Sequence, residues 1–303
     1  MKAKYALAST LCLGIVLSIF HFAAREVRKE QNSSRPSASS SEQKWVRPIG
    51  SGAAPPILRG SIDEARKKID PMVFQPISAT TYQIVRMEDA RPPGDALSYV
   101  MSLMPRSESG DALATFDIYL AVSDCRNYLS GAADRGPSAG ASGTSHIRNL
   151  EKIERKISEC AGLSTARTVT EEKWLEIAAQ QGSMEAKLYY AIDTNSIIGD
   201  STDQLRNPEK VMRWKDQSIS YLQEVAGTGN IDAISRLSSA YENGILVDQN
   251  LEIAYAYALA ANMIHPDSSG PALIGNLESN LSAKQRESGI ALSRSIYNSC
   301  CTL

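Results

Sequence analysis

A glycine followed four residues later by an alanine recurs along this chain and restricts it to helical architectures. The step occurs at Gly110–Ala114, Gly182–Ala186 and Gly229–Ala233. Side chains four residues apart lie one above the other on the same face of a helix. Small residues on that face let a second helix approach closely. A step of this kind that recurs along the sequence predicts stacked helical units.

The fullest copy of the pattern is the stretch Val225–Ala261. Its small and aromatic residues keep steps of three and four residues as far as Gly244, which predicts one helix and a turn. A second helix is predicted to start at Gln249 or Asn250, with alanines and tyrosines again at helical spacing. The stretch therefore predicts a unit of helices that cross at small residues.

These copies resemble the Sel-one-like repeat, a relative of the tetratricopeptide repeat. The copy Ala226–Ala261 fits the family pattern nearly throughout. The copy Ala179–Tyr190 has a tyrosine where the family has leucine, and the copy at 110–118 keeps three positions. The resemblance implies an all-α fold, a right-handed α-solenoid of antiparallel helix pairs.

The same resemblance implies how the chain is divided. Residues 166–303 form the repeat domain, which ends in a polar capping helix, and residues 61–165 form a helical region with a degenerate repeat. The structural repeat positions are small residues at helix crossings. They are Gly182, Ala186, Gly229, Ala233 and Gly244.

The N-terminal residues 1–30 are predicted to carry a targeting element. Ala6–Ala24 is an uncharged apolar run, which as a helix is about 29 Å long, close to the thickness of a bilayer core. A signal peptidase cut after Ala24 would place Phe22 at a position that prefers small residues, so the run favours an uncleaved anchor. The expected localisation is inner-membrane-anchored and facing the periplasm, with a secreted or periplasmic protein after cleavage as the alternative. Residues 31–60 are rich in serine and proline and are predicted to be a disordered linker.

Cysteine positions bear on the compartment. In an exported protein Cys125 and Cys160 are expected to form a disulfide, and the alternative is two buried thiols. The adjacent residues Cys300 and Cys301 are either a redox site or part of a frayed C-terminal tail.

No motif predicts a catalytic, cofactor or metal site. Ser138 lies in a G-x-S-x-G match, but a nucleophile elbow needs a strand before the serine and a helix after it, and this match lies in a Gly/Ser-rich loop. Asp193–Ile197 begins like a calcium loop, but Ile197 offers no oxygen ligand. The net charge of −2 argues against a nucleic-acid partner.

The function predicted from these observations is a membrane-tethered, extracytoplasmic scaffold that binds an unknown protein or peptide. Tyr189, Tyr255 and Tyr257 are predicted to lie on faces that the core does not use. There they would line the concave surface on which this superfamily usually holds peptides. Two alternatives stay open: an exported hydrolase acting on cell-wall material, and a structural spacer without a ligand.

Overall fold

Fourteen helices and one two-stranded hairpin make up most of the chain that our computed structural model describes, which is residues 57, 59–86, 91–131, 143–266 and 271–302. These residues belong to one compact unit, residues 51–303. The predicted all-α class is confirmed at this coarse level, because helix predominates and strand is confined to the hairpin. The predicted anchor 6–24, most of the linker 31–60 and Ser138 lie outside the described residues.

Apart from the hairpin near the start, the elements of the described chain are all helices. In chain order they are α1 (Ile62–Arg66), β1 (Phe74–Pro76), β2 (Tyr82–Ile84), α2 (Ala96–Glu108), α3 (Ala112–Ser130), α4 (Gly143–Thr165), α5 (Arg167–Thr170), α6 (Trp174–Gln181), α7 (Met184–Tyr190), α8 (Thr194–Ile198), α9 (Ser201–Arg206), α10 (Pro208–Gly227), α11 (Ile231–Asn243), α12 (Leu251–Ile264), α13 (Pro271–Ser279) and α14 (Ala283–Cys300).

Three of these helices, α3, α7 and α11, begin in the same way. A glycine with positive φ turns the chain, and the next residue caps the helix by accepting a hydrogen bond from the amide of an alanine three residues further on. Each of these alanines is fully buried. The three sets are Gly110, Asp111 and Ala114; Gly182, Ser183 and Ala186; Gly229, Asn230 and Ala233.

The glycines of the repeat act mainly through their backbone conformation. Gly182 ends α6 and Gly244 ends α11, both in the left-handed region that favours glycine. Gly229 was expected at a helix crossing, but it lies against the loop of the hairpin. A Cβ atom at Gly229 would lie 2.0 Å from the carbonyl oxygen of Thr80. That expectation is corrected, because the close approach at Gly229 is to the hairpin loop and not to a helix.

Residues 59–86, which we call the N-terminal strap, pack on the later helices. The amide of Gly60 donates to the carbonyl of Gly227 at 2.8 Å, and the amide of Tyr82 donates to the carbonyl of Gly229 at 3.1 Å. The Tyr82 side chain is fully buried and its hydroxyl lies 2.8 Å from Oγ1 of Thr228. The strap is thereby joined to the turn between α10 and α11.

The C-terminal turn holds the same strap from another side. Thr80 Oγ1 donates to the carbonyl of Cys301 at 2.7 Å, and the Arg59 guanidinium donates to the carbonyl of Thr302. Cys300 and Cys301 form a disulfide with each other and are both buried. Cys300 and Cys301 are therefore packed against the strap. This differs from a frayed tail, which was one of the two expectations for these residues.

The main contacts among the helices between the strap and the C-terminus follow the order of the chain but pass over some intervening helices. Contacts run from α2 to α3, α3 to α6, α6 to α7, α7 to α10, α10 to α11, α11 to α12 and α12 to α14. One apolar cluster lies among α2–α8 and part of α10, and a second joins the strap to α7 and α10–α14. The strap thus contributes to the core of the later helices.

The predictions for Tyr255 and Tyr257 are wrong. Both were expected on an exposed concave surface, but their relative exposures are 4% and 0%. Tyr255 packs on Gly289 of α14, and Tyr257 stacks on Tyr241 of α11 with ring centroids 5.9 Å apart. Helix α12 lies between α11 and α14, so both of its tyrosine-bearing faces are covered.

The predicted inner-membrane localisation is also corrected. Within the described ranges, no helix combines the length and the apolar character that crossing a bilayer requires. The run 6–24, on which the anchor was predicted, is outside those ranges. The anchor therefore has no place in the functional proposal below.

The structure joins Cys125 of α3 to Cys160 of α4 in a disulfide, with Cα atoms 5.4 Å apart. Both residues are buried. The sequence separation between them is 35 residues, so the bond closes a sizeable loop in the unfolded chain.

We expect the double variant Cys125→Ala, Cys160→Ala to lower the free energy of unfolding by about 3–4 kcal/mol, because the unfolded chain regains the loop entropy. Urea unfolding of the variant and the parent protein measures this loss. The matched control is Cys300→Ala with Cys301→Ala, which removes a bond between adjacent residues and therefore releases almost no loop entropy. Equal losses in the two double variants would contradict this explanation.

Candidate peptide-binding face

The three helices with a common start also share a polar face. Positions three and seven after each glycine are four residues apart, so their side chains lie on one side of the helix. We call these positions the repeat face. Its members are Leu113 and Asp117 on α3, Glu185 and Tyr189 on α7, and Asp232 and Arg236 on α11.

The strap is bound to this face by its backbone as well as by a side chain. The amide of Ile84 donates to Oδ2 of Asp232 at 2.8 Å. The amide of Asp70 donates to Oε2 of Glu185 at 3.4 Å. Two main-chain donors of the strap therefore meet carboxylates on two successive repeats of the face.

The best-buried ion pair on the face joins Glu185 to Arg86, the last strap residue that the structure describes before residue 91. Glu185 is 1% exposed and its Oε1 atom lies 2.8 Å from Nη2 of Arg86. Asp70 lies further from the same guanidinium, at 3.7 Å. Although burial disfavours the charged guanidinium, Glu185 raises the pKa of Arg86 above its usual value. A carboxylate of the repeat face therefore neutralises the cation that Arg86 of the strap carries.

Asp117 lies on α3, at the end of the repeat face that the first repeat contributes. Among the residues that the structure describes, its carboxyl group has no hydrogen-bond partner. Burial raises the pKa of this carboxyl to about 6, with Arg86 opposing the shift and Asp70 and Glu185 adding to it. A carboxyl with a raised pKa is more stable protonated in the folded protein than in the unfolded chain. Its contribution to stability is therefore present below about pH 4 and is lost as the pH rises through about 6.

We expect Asp117→Asn to raise the free energy of unfolding at pH 7.5 by about 1–2 kcal/mol, because the amide carries no charge to desolvate. Near pH 4 the variant and the parent protein should unfold at the same urea concentration. A stability difference that is the same at both pH values would contradict the assigned titration of Asp117.

An aromatic cluster lies beside the charged pair. Phe116 and Tyr119 of α3 contact the Tyr189 ring, with centroids 5.5 and 6.2 Å away. The Arg86 guanidinium lies over the Phe116 ring at 6.0 Å. Tyr119 also donates its hydroxyl to Oδ2 of Asp193 at 2.7 Å. Tyr189, the half-buried member of the three tyrosines selected from the sequence, is thus part of the repeat face.

Arg236 occupies the opposite end of the face from Asp117. Its Nε atom is buried and has no hydrogen-bond partner, and within the described part of the chain the guanidinium forms no ion pair. Burial lowers the pKa of Arg236, and Asp232 on the preceding turn acts in the opposite direction. Asp232 itself accepts the strap amide of Ile84.

Other sequence candidates fall elsewhere. Asp193 caps α8 by accepting the amide of Ser196, a structural role. Among the described residues no group of histidine, cysteine and acidic side chains is arranged to hold a metal ion. Sequence reasoning missed Arg86, Asp117, Glu185 and Arg236, although aligning the three glycines would have placed the last three of these on one face.

Comparison of the chain with protein-family models, with curated proteins and with solved structures found no match. The resemblance to Sel-one-like repeats therefore stays a prediction that rests on the residues quoted for it.

Proposed function

We propose that the protein is an interaction module that binds an extended segment of a protein partner on the repeat face. The observation that carries the proposal is the strap, whose extended strand β2 is already held there through the amide of Ile84 on Asp232, with a second main-chain contact from the turn at Asp70 to Glu185. Arg86 of the strap reaches the middle of the face, and the polar side chains of Asp117 and Arg236 on either side of it have no protein partner among the described residues. The surface thus offers more binding groups than the strap uses.

The proposal includes the finer architecture, an α-solenoid of repeated helix pairs. Two features support it. The main helix contacts follow the order of the chain, from α2 through α3, α6, α7, α10, α11 and α12 to α14, as in repeat proteins where each unit contacts its neighbours. The helices α3, α7 and α11 share one start geometry, which is expected if each opens a repeat.

A photo-crosslinking amino acid tests the location of binding. Ser239 is exposed and lies one turn beyond Arg236 on the same side of α11, whereas Lys284 is exposed at the start of α14. We expect p-benzoylphenylalanine in place of Ser239 to give a discrete protein adduct in the native cells, and the same substitution at Lys284 to give none. An absence of adducts at Ser239 would favour a spacer, and equal adducts at both positions would contradict a specific face.

A further inference from the structure

The disulfide between Cys300 and Cys301 does not stabilise the fold in the usual way. It joins adjacent residues, so it closes no loop in the unfolded chain and restricts that chain very little. The bond between Cys125 and Cys160, by contrast, spans 35 residues. Nevertheless both residues of the adjacent pair are buried against the strap. What this bond does instead is fix the local backbone.

The bond determines where helix α14 ends. Adjacent side chains of an α-helix point about 100° apart around its axis, so two adjacent cysteines cannot pair while both are helical. Accordingly α14 ends at Cys300, and Cys301 leaves the helix with a φ of −130° and a ψ of 6°. Helices α6 and α11 end at glycines in the left-handed conformation, whereas α14 ends at a cysteine that is bonded to its neighbour.

The hydrogen bonds around the pair are compatible with a longer helix. The amide of Cys301 already donates to the carbonyl of Tyr297 at 2.9 Å, which is the bond that an α-helix makes to the residue four positions back. The Sγ atom of Cys300 lies 3.3 Å from the carbonyl oxygen of Ile296, so a thiol at this position has an acceptor. Once the disulfide is broken, Cys301 is therefore free to take helical dihedral angles.

The same turn supplies two backbone acceptors to the strap. The hydroxyl of Thr80 donates to the carbonyl of Cys301 at 2.7 Å, and the guanidinium of Arg59 donates to the carbonyl of Thr302. The backbone of Thr80 lies in turn against Gly229, in the turn before α11. A change of Cys301 to helical angles of about −63° and −42° rotates both carbonyls relative to their donors. The conformation of Cys301 is thereby coupled to the strap.

We propose that the disulfide between Cys300 and Cys301 is a redox switch that sets how firmly the strap is held. The reductant is a dithiol, which reaches the buried sulfurs when the last turn of α14 opens locally. One thiolate of the dithiol attacks a sulfur of the bond to give a mixed disulfide, and its second thiol then displaces that sulfur. The S–S bond is broken, both cysteine sulfurs end as thiols, and the dithiol is oxidised to a disulfide. Helix α14 then extends through Cys301, and the strap loses its acceptors on this turn.

Titration of the full chain with dithiothreitol, followed by alkylation and mass spectrometry, tests the chemical step. We expect Cys300 and Cys301 to be alkylated at a dithiothreitol concentration at which Cys125 and Cys160 remain bonded to each other. The reason is that opening one helical turn exposes the adjacent pair, whereas the other bond joins two packed helices. Reduction of Cys125–Cys160 first, or of both bonds together only as the protein unfolds, would overturn the proposal.

Amide hydrogen exchange, followed by NMR, tests the structural step. In protein reduced only at Cys300 and Cys301, we expect the strap amides of Gly60 and Tyr82 to exchange about fivefold faster or more, the effect of losing roughly one hydrogen bond, with the amides of α3 unchanged. The double variant Cys300→Ser, Cys301→Ser should exchange at the same raised rate without reductant.

Thr80→Val is the matched control, because it keeps the disulfide and removes the hydroxyl donor of the strap. The oxidised variant should already exchange faster at Gly60 and Tyr82 than the parent protein, and reduction should add less than it does in the parent. Unchanged exchange in a parent protein whose reduction is verified by alkylation would overturn the switch. An equal acceleration in Thr80→Val and in the parent would overturn the coupling through Thr80.

Discussion

Gly229→Ala should destabilise the protein by about 4 kcal/mol or more, the largest single effect that we expect. Gly229 has a φ of +84°, and its added Cβ atom would lie 2.0 Å from the carbonyl oxygen of Thr80. The atom that it meets belongs to the backbone, so no side-chain rotation relieves the overlap. Either the strap leaves its place on the turn before α11 or the turn itself deforms. Urea unfolding followed by circular dichroism measures the loss.

The equivalent glycine of the first repeat provides the control. Gly110 has a φ of +92°, but a Cβ atom there would have open space around it. Gly110→Ala should therefore cost only the backbone preference, about 1 kcal/mol. Similar losses at both positions would show that the turn conformation, and not contact with the strap, makes Gly229 necessary.

Arg86→Gln should lower the free energy of unfolding by about 3–5 kcal/mol, because it leaves the Glu185 carboxylate buried without its cation. The expected loss of stability is large because the pair is mostly buried: the side chain of Glu185 is 1% exposed and that of Arg86 is 19% exposed. Denaturant unfolding at neutral pH measures the change.

Two further variants make this result interpretable. The double variant Arg86→Met, Glu185→Met should recover most of the loss, because apolar side chains of similar length often replace a buried pair at little cost. Arg213→Gln removes an exposed pair to Glu209 with a distance of 4.0 Å and should change stability by less than about 0.5 kcal/mol. If Arg86→Gln were as mild as Arg213→Gln, the pair would not hold the strap.

The sequence predicts well those features that depend on a few neighbouring residues. Asp95 caps α2, Pro208 opens α10, and Ser282 forms a capping box with Gln285, all as expected from local capping rules. These features need only side chains that lie within one helical turn of the backbone groups they satisfy.

The strap could not be predicted in the same way. Tyr82 pairs with Asn230 through a single isolated bridge across 148 positions of the chain, and such a contact leaves no periodic signal in either segment. The error at Tyr255 and Tyr257 has a related cause. Helical spacing indicates which residues share a face, but it does not tell how many faces are covered by other helices.

The repeat face can be predicted from the sequence only in part. Its backbone positions follow from the aligned glycines Gly110, Gly182 and Gly229, but its chemistry depends on which side chain meets the strap. Asp232 and Arg236 would be predicted to pair with each other from their spacing alone. In the structure Oδ2 of Asp232 accepts the amide of Ile84, and Asp232 forms no ion pair with Arg236 within 4.0 Å.

The central claim is that the repeat face holds an extended chain segment through main-chain hydrogen bonds, and amide hydrogen exchange tests it most directly. In the full chain we expect the amides of Tyr82 and Ile84 to exchange as slowly as the core amides of α11, because they donate to Gly229 and Asp232. Asp232→Ala should speed exchange at Ile84 and leave the amides of α6 unchanged. Exchange of Tyr82 and Ile84 at the rate of an unstructured peptide, with α11 still protected, would contradict the account.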